Sequence, residues 1–259
     1  MTIALLTDIH ANREALEACL AHAEQRGAAQ YTFLGDYVGY GADPGWVVDT
    51  VMRFAQQGSI ALRGNHDEAA GGSPDVHLNE DARQCIDWTQ TQLRADQLGF
   101  LRELPLTAKD GICLFVHANG WDPKNYEYIL GPMQAARSMR VVRSRITFCG
   151  HMHEPMLYHM GRTERVEVFS PVPGTAIPLS AARRWLALPG SVGQPRDGNP
   201  AACYATFDAL NNMLTFWRVP YDHETASQGA RCRPARALRA PTAPWLLRGH
   251  GCRAFCRVS

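Results

Sequence analysis

Short apolar runs alternate with helical spacing through the first half of the chain. Residues 3–7 (IALLT) read as a strand, and residues 12–26 carry Ala15, Leu16, Cys19, Leu20 and Ala23 at helical intervals. Residues 31–34 and 59–62 are two further apolar strands, with a helix expected over 46–56 between them and another over 81–93. Residues 112–116 and 146–149 complete five strands, and a helix near 133–141 separates the last two. Strands alternating with helices predict an α/β layered fold. The second half changes character. Residues 156–159, 166–169, 185–188, 203–208 and 213–219 are strand-like and joined by Gly, Pro and Asn turns. That pattern predicts antiparallel strands, either added to the first sheet or forming a second one.

Composition narrows the class. Of 259 residues, 46% are hydrophobic and 20% charged, as an ordinary globular core requires. A net charge of +1 gives no global reason to expect nucleic acid or an anionic membrane as partner. The first residues, MTIALLT, lack a basic start and a long apolar stretch, and no run reaches membrane-spanning length, so a cytoplasmic location is expected. Eight cysteines are scattered without a CxxC pair, which predicts reduced thiols, with Cys113 and Cys149 packed inside apolar runs. After Glu224 there is no acidic residue, while arginines stand at 231, 233, 236, 239, 248, 253 and 257. Residues 1–224 are therefore expected to form the domain. Residues 225–259 form a basic, Cys- and Pro-containing tail, read either as an unpacked terminus or as an anion-binding arm.

Each of the five strands in the first half runs into a residue type that binds metal. IALLT leads to Asp8 and His10, YTFLG to Asp36, SIALRG to Asn65, His66 and Asp67, ICLFV to His117, and ITFCG to His151 and His153. Ligands of open α/β sheets gather beyond the carboxyl ends of the strands, so five such ends would build one shared site. Carboxylate, amide oxygen and imidazole together suit manganese, iron, zinc or nickel better than calcium. The lack of a thiolate argues against a structural zinc. Taken singly, Asp8 also fits a cap on the helix near Asn12, and Asp36 also fits a turn.

The ordered set Asp8-Ile9-His10, Gly35-Asp36, Gly64-Asn65-His66-Asp67, Val116-His117 and Gly150-His151-Met152-His153 resembles the calcineurin-like metallophosphoesterase family. TDIHANREALEA, FLGDYVGYG and LPGSVGQPRDGNP look most like its small bacterial phosphodiesterases and phosphatases. The resemblance implies a sandwich of two mixed β-sheets flanked by helices, in α-β-β-α layers. It also implies two divalent transition-metal cations, manganese first among manganese, iron, zinc and nickel. One cation would be held by Asp8, His10 and His153, the other by Asn65, His117 and His151, with Asp36 bridging. His66 would act as proton donor or charge stabiliser beside the phosphate. The reaction implied is attack of a metal-bound hydroxide on a small phosphoester or nucleotide. A diadenosine-polyphosphate or cyclic-nucleotide hydrolase is the alternative within the enzyme class, and a non-catalytic scaffold the alternative outside it. Ser/Thr protein phosphatases of the superfamily read GDYVDRG, where this chain has Gly39 and Tyr40 in place of Asp and Arg, so protein phosphatase activity is not expected. Tyr37, Tyr40 and Trp121 either wall the pocket or pack loops. Arg196 either touches phosphate or belongs to a turn.

Overall fold

A computed structural model of the protein describes residues 1–74, 76 and 78–231. His77, His250 and the tail beyond Arg231 fall outside them. In chain order the elements are β1 (Thr2–Leu6), α1 (Arg13–Gln25), β2 (Ala28–Phe33), α2 (Pro44–Gln56), β3 (Ile60–Ala61) and α3 (Asn65–Ala70). They continue with α4 (Glu80–Gln92), α5 (Ala95–Glu103), β4 (Thr107–Asp110), β5 (Cys113–Val116), α6 (Pro132–Val141) and β6 (Ile146–Phe148). The last are β7 (Pro155–Met160), β8 (Val166–Phe169), β9 (Ala176–Pro178), β10 (Arg184–Pro189), β11 (Ala202–Asp208), β12 (Met213–Val219) and α7 (His223–Arg231).

The strands form two six-stranded mixed sheets, β3-β2-β1-β11-β12-β9 and β4-β5-β6-β10-β7-β8. The five strands of the first half are thus divided, with β1, β2 and β3 parallel in one sheet and β5 and β6 parallel in the other. The later strands do both things the pattern allowed: β11, β12 and β9 extend the first sheet by antiparallel pairing, and β10, β7 and β8 extend the second, where β10 departs from the expected pattern by running parallel to β6.

Alternation within each strand makes the layers. Ile3 and Leu5 of β1, with Phe207 and Phe216 of the same sheet, face the second sheet and pack with its Phe115 and Phe148. Ala4 and Leu6 face the other way, onto Leu16 and Cys19 of α1 and Val47 and Val51 of α2. On the outer face of the second sheet, Leu186 and Leu188 pack against Ala135 and Met139 of α6. The result is an α-β-β-α sandwich. α1 begins where Asn12 accepts the Ala15 N–H (3.0 Å), so Asn12, not Asp8, is its cap. α7 crosses residue 224, where the sequence suggests a boundary, and lies against α1. Among the described residues Cys19, Cys85, Cys113, Cys149 and Cys203 are buried and free. No helix among these residues is long and apolar enough to cross a membrane.

Candidate metal centre

The carboxyl ends of β1, β2 and β3 meet those of β5 and β6 where the two sheets converge. Hydrogen bonds across the gap fix the meeting. Asp8 N–H donates to Gly35 O (3.0 Å) and His10 N–H to Asp36 O (3.0 Å), which ties the loop after β1 to the loop after β2. His151 N–H, from the second sheet, donates to Asp8 Oδ2 (2.9 Å). The Asp8, His10, Asp36, His151 and His153 backbones all lie in the left-handed region, at φ between +49° and +68°. Such positions are uncommon for side-chain-bearing residues and cluster where surrounding structure imposes them for function. Gly64 permits a close approach: a Cβ there would overlap the Asp36 carboxylate and amide.

All seven side chains that the resemblance implies as ligands come together, and none is more than 7% exposed. One group comprises Asp8, His10, Asp36 and His153; a second comprises Asp36, His117 and His151, so the two share Asp36. Asn65 Oδ1 lies 3.2 Å from His117 Nε2 and joins the second group.

Tautomers decide what these contacts mean. His10 Nδ1 faces Val38 O (3.0 Å), His117 Nδ1 faces Leu34 O (2.8 Å) and His153 Nδ1 faces Gln194 O (2.7 Å). A carbonyl can only accept, so each Nδ1 carries the hydrogen and each Nε2 presents a lone pair. Yet His10 Nε2 and His153 Nε2 stand 3.2 Å apart, and His117 Nε2 stands 3.2 Å from His151 Nδ1 and 3.4 Å from Asp36 Oδ2. Asp8 Oδ2 accepts from the Thr7 hydroxyl (2.8 Å) as well as from His151, while Oδ1 is buried with no partner, 3.3 Å from His153 Nε2. Acceptors facing acceptors in a buried site repel unless a positive charge sits among them.

The protein's own groups offer one remedy, a proton. Burial lowers the pKa of His117, but Asp36 and, after it, Asp8 override this and push it up to about 9. Burial and the nearby imidazoles push His10 well down and take His151 to about 3. A divalent cation in each group would supply the same compensation to every ligand at once, so the donor set fits the metal ions implied by the resemblance.

Asp67, to which the resemblance assigns no role, organises this centre. Its Oδ2 accepts from Asp36 N–H (2.7 Å) and Gly64 N–H (3.0 Å), and its Oδ1 from Tyr37 N–H (2.8 Å). Burial and the neighbouring Asp36 charge push its pKa up to about 7, against the pull of the Gly64 and Tyr37 amides. Replacing Asp67 with Ala leaves three buried amides unpaired, at about 1 kcal/mol or more each. The expected result is a loss of about 3 kcal/mol of stability, read from the urea midpoint. An unchanged midpoint would show that water takes over all three bonds.

Of the other candidates, Tyr37 is fully buried and its hydroxyl donates to Leu62 O (2.6 Å), so it is a packing residue and not a pocket wall. Tyr40 lies against His10 and His66, with ring centroids 4.9 and 4.8 Å apart. Trp121 lies in an outer layer: its indole N–H donates to Glu127 (3.3 Å) and Arg137 stacks over its ring. On the second group Tyr128 stacks on His151 at 4.1 Å and Tyr126 lies edge-on to His117 at 5.9 Å, neither of which any periodicity in that loop marks. Arg196 donates to the Gln194 side chain (2.9 Å) and is close enough to Tyr40, Tyr128 and His66 to influence their ionisation. His66 is buried and packed edge-on to His10, and its Nδ1 has no hydrogen-bond partner.

Comparison with known proteins agrees with this arrangement. Residues 1–212 match the calcineurin-like phosphoesterase superfamily domain. The chain is 32% identical over 237 residues to the uncharacterized protein MJ0912 of Methanocaldococcus jannaschii, covering 86% of this chain and 89% of that one. A metallophosphoesterase from Sphaerobacter thermophilus superposes with a TM-score of 0.79 at 35% identity, over 89% of this chain and 93% of the other. A hypothetical protein, PH1004, from Pyrococcus horikoshii OT3 shares the fold at 19% identity, with a TM-score of 0.71 over 89% and 92% of the two chains. With the match running through both sheets and every strand end that carries a histidine or aspartate of the centre, the chain belongs to the calcineurin-like phosphoesterase superfamily and is a phosphoric ester hydrolase.

Proposed function

We propose that the protein hydrolyses a small phosphoester or nucleotide at a dinuclear metal centre, with manganese as the native metal. Asp8, His10 and His153 would hold one cation, Asn65, His117 and His151 the other, and Asp36 both. The observation carrying this reading is that the Nε2 lone pairs of His10, His117 and His153, fixed by backbone carbonyls, confront one another, His151 Nδ1 and Asp36 at 3.2–3.8 Å. When bound, two divalent cations neutralise phosphate charge and make water acidic enough to supply a nucleophile near neutral pH.

The chain's own residues do the rest. Val38, Leu34 and Gln194 carbonyls hold the ligand rings in one tautomer, so the lone pairs are aimed before substrate arrives. Asp36 Oδ1 accepts the His66 N–H (2.9 Å), which couples the position of His66 to the shared ligand. His66 would give a proton to the leaving oxygen or stabilise charge on the phosphate. Tyr40 and the half-exposed Tyr128 flank the imidazoles and would stack on a base or aryl group. Arg196, at the same mouth, would pair with a phosphate oxygen. A reducing cytoplasm suits the five buried free cysteines. Because α7 crosses residue 224 and packs on α1, the hydrolase domain is assigned through Arg231, beyond the boundary the sequence suggests.

The test is metal removal and add-back. Chelated protein is expected to lose turnover of bis-p-nitrophenyl phosphate and p-nitrophenyl phosphate, and manganese to restore at least one of them. The substrate restored separates diesterase from monoesterase. Inactivity toward both with manganese, nickel, zinc and magnesium would favour the scaffold reading and remove this one.

A further inference from the structure

At the opposite end of β6 from His151 lies a cleft of about 400 Å³ that the hydrolytic centre does not use. The two sites lie at most about 20 Å apart along the chain, six residues of extended backbone. The cleft is lined by Arg143 and Arg145 before β6, Arg162 in the β7–β8 turn, and Arg183 and Arg184 at the start of β10. Glu164 is the one acidic residue in its lining, and that carboxylate is already paired with Arg140 (3.3 Å).

The five guanidiniums are poorly compensated. Arg184 donates to Met139 O (2.9 Å), Arg145 donates from Nη2 to the Asn212 side chain, and Arg183 meets the His159 ring (3.2 Å). Among the described residues none of the five pairs with a carboxylate, although Arg13, Arg63, Arg94, Arg137, Arg140 and Arg218 each do. The Arg145 Nε–H is buried and has no acceptor at all, a state that costs stability until an acceptor arrives. Like charges gathered in a concave site focus potential and concentrate anions there. Planar forks of donors match phosphate oxygens best. The volume falls within the roughly 300–1,000 Å³ usual for small-molecule sites. A net charge of +1 gives no global attraction for a nucleic-acid backbone, so the local cluster of guanidiniums sets the ligand.

We propose that this cleft is a second anion site, distinct from the hydrolytic centre, which takes a small polyphosphate of two or three phosphate groups. Metal-free full-length protein should bind one tripolyphosphate per chain in calorimetric titration. Arg143 and Arg162 are exposed, so their replacement leaves the core intact. The double variant Arg143→Glu/Arg162→Glu should weaken tripolyphosphate roughly tenfold or more while hydrolysing bis-p-nitrophenyl phosphate at the wild-type rate with metal restored. Asp36→Asn should bind it like wild type. The proposal is overturned if the wild type binds none, if the double variant binds undiminished, or if Asp36→Asn abolishes binding. A ten-nucleotide DNA strand that outcompetes tripolyphosphate through the same two arginines would also overturn it, by reassigning the cleft to a nucleic-acid backbone.

Discussion

Asp36→Asn is expected to reduce turnover by roughly 10³-fold or more, about 4 kcal/mol of transition-state stabilisation, while the protein stays folded. Asp36 is the one side chain common to both ligand groups, with Oδ2 3.8 Å from His10 Nε2 and 3.4 Å from His117 Nε2. Burial alone would raise its pKa, yet His117, His66 and His10 hold it well below the ordinary carboxylate range, so it enters the site as an anion. Asparagine keeps the shape and removes the charge. It also turns one ligand position into an amide, which either loses a lone pair or points hydrogens at the imidazoles. Each cation would lose its shared anionic partner, so metal content should fall together with rate. The measurement pairs steady-state kinetics with elemental analysis of protein dialysed against metal-free buffer. Near-normal rates at full metal content would remove Asp36 from the shared position and with it the dinuclear reading.

What made the site legible in the sequence was its one-dimensional regularity: a strand, then a ligand, repeated. Asp8, His10, Asp36, His117, His151 and His153 each follow a short, nearly continuous apolar run that stands out from the polar and helical stretches around it. The two layers were less visible. β3 and β6 are only two and three residues long and buried, so they read like any other strand, and pattern alone cannot say that they belong to different sheets. β4 (TAKD) is a polar edge strand and α5 carries Gly99 in its middle, so neither leaves a strong periodic trace. α3 opens on Asn65 and His66, whose buried polar faces serve the centre and not a hydrophobic core. Asp67 and Tyr128 act through contacts 31 and 23 residues away in the chain, to Asp36 and His151, and no local spacing announces such pairings.

His66→Asn is expected to lower kcat by about 10²–10⁴-fold for an alkyl phosphodiester, with metal content unchanged. The structure shows how His66 is placed without a carboxylate on its Nδ1. Its Nδ1 abuts Gly39, where a Cβ would overlap the ring nitrogen, so the position that carries the second Asp of that motif has no room for any side chain. The ring is held instead by packing, edge-on to His10 and tilted against Tyr40, and by its own backbone bond to Asp36. Burial, with His153, His117 and Arg196 nearby, holds the imidazole below its ordinary pKa against the pull of Asp36, and a phosphate anion arriving alongside adds to that pull. Leaving-group chemistry then separates the two roles open to His66. A p-nitrophenolate departs without a proton, whereas an alkoxide needs one. A proton donor therefore costs far more with the alkyl ester than with bis-p-nitrophenyl phosphate when replaced, and a charge stabiliser costs the same with both. Gly39→Ala supplies an independent check, because displacing the ring without changing its chemistry should reproduce a large part of the loss. If His66→Asn instead strips a metal, the residue is a ligand. If it leaves the alkyl ester rate untouched, the proton comes from solvent.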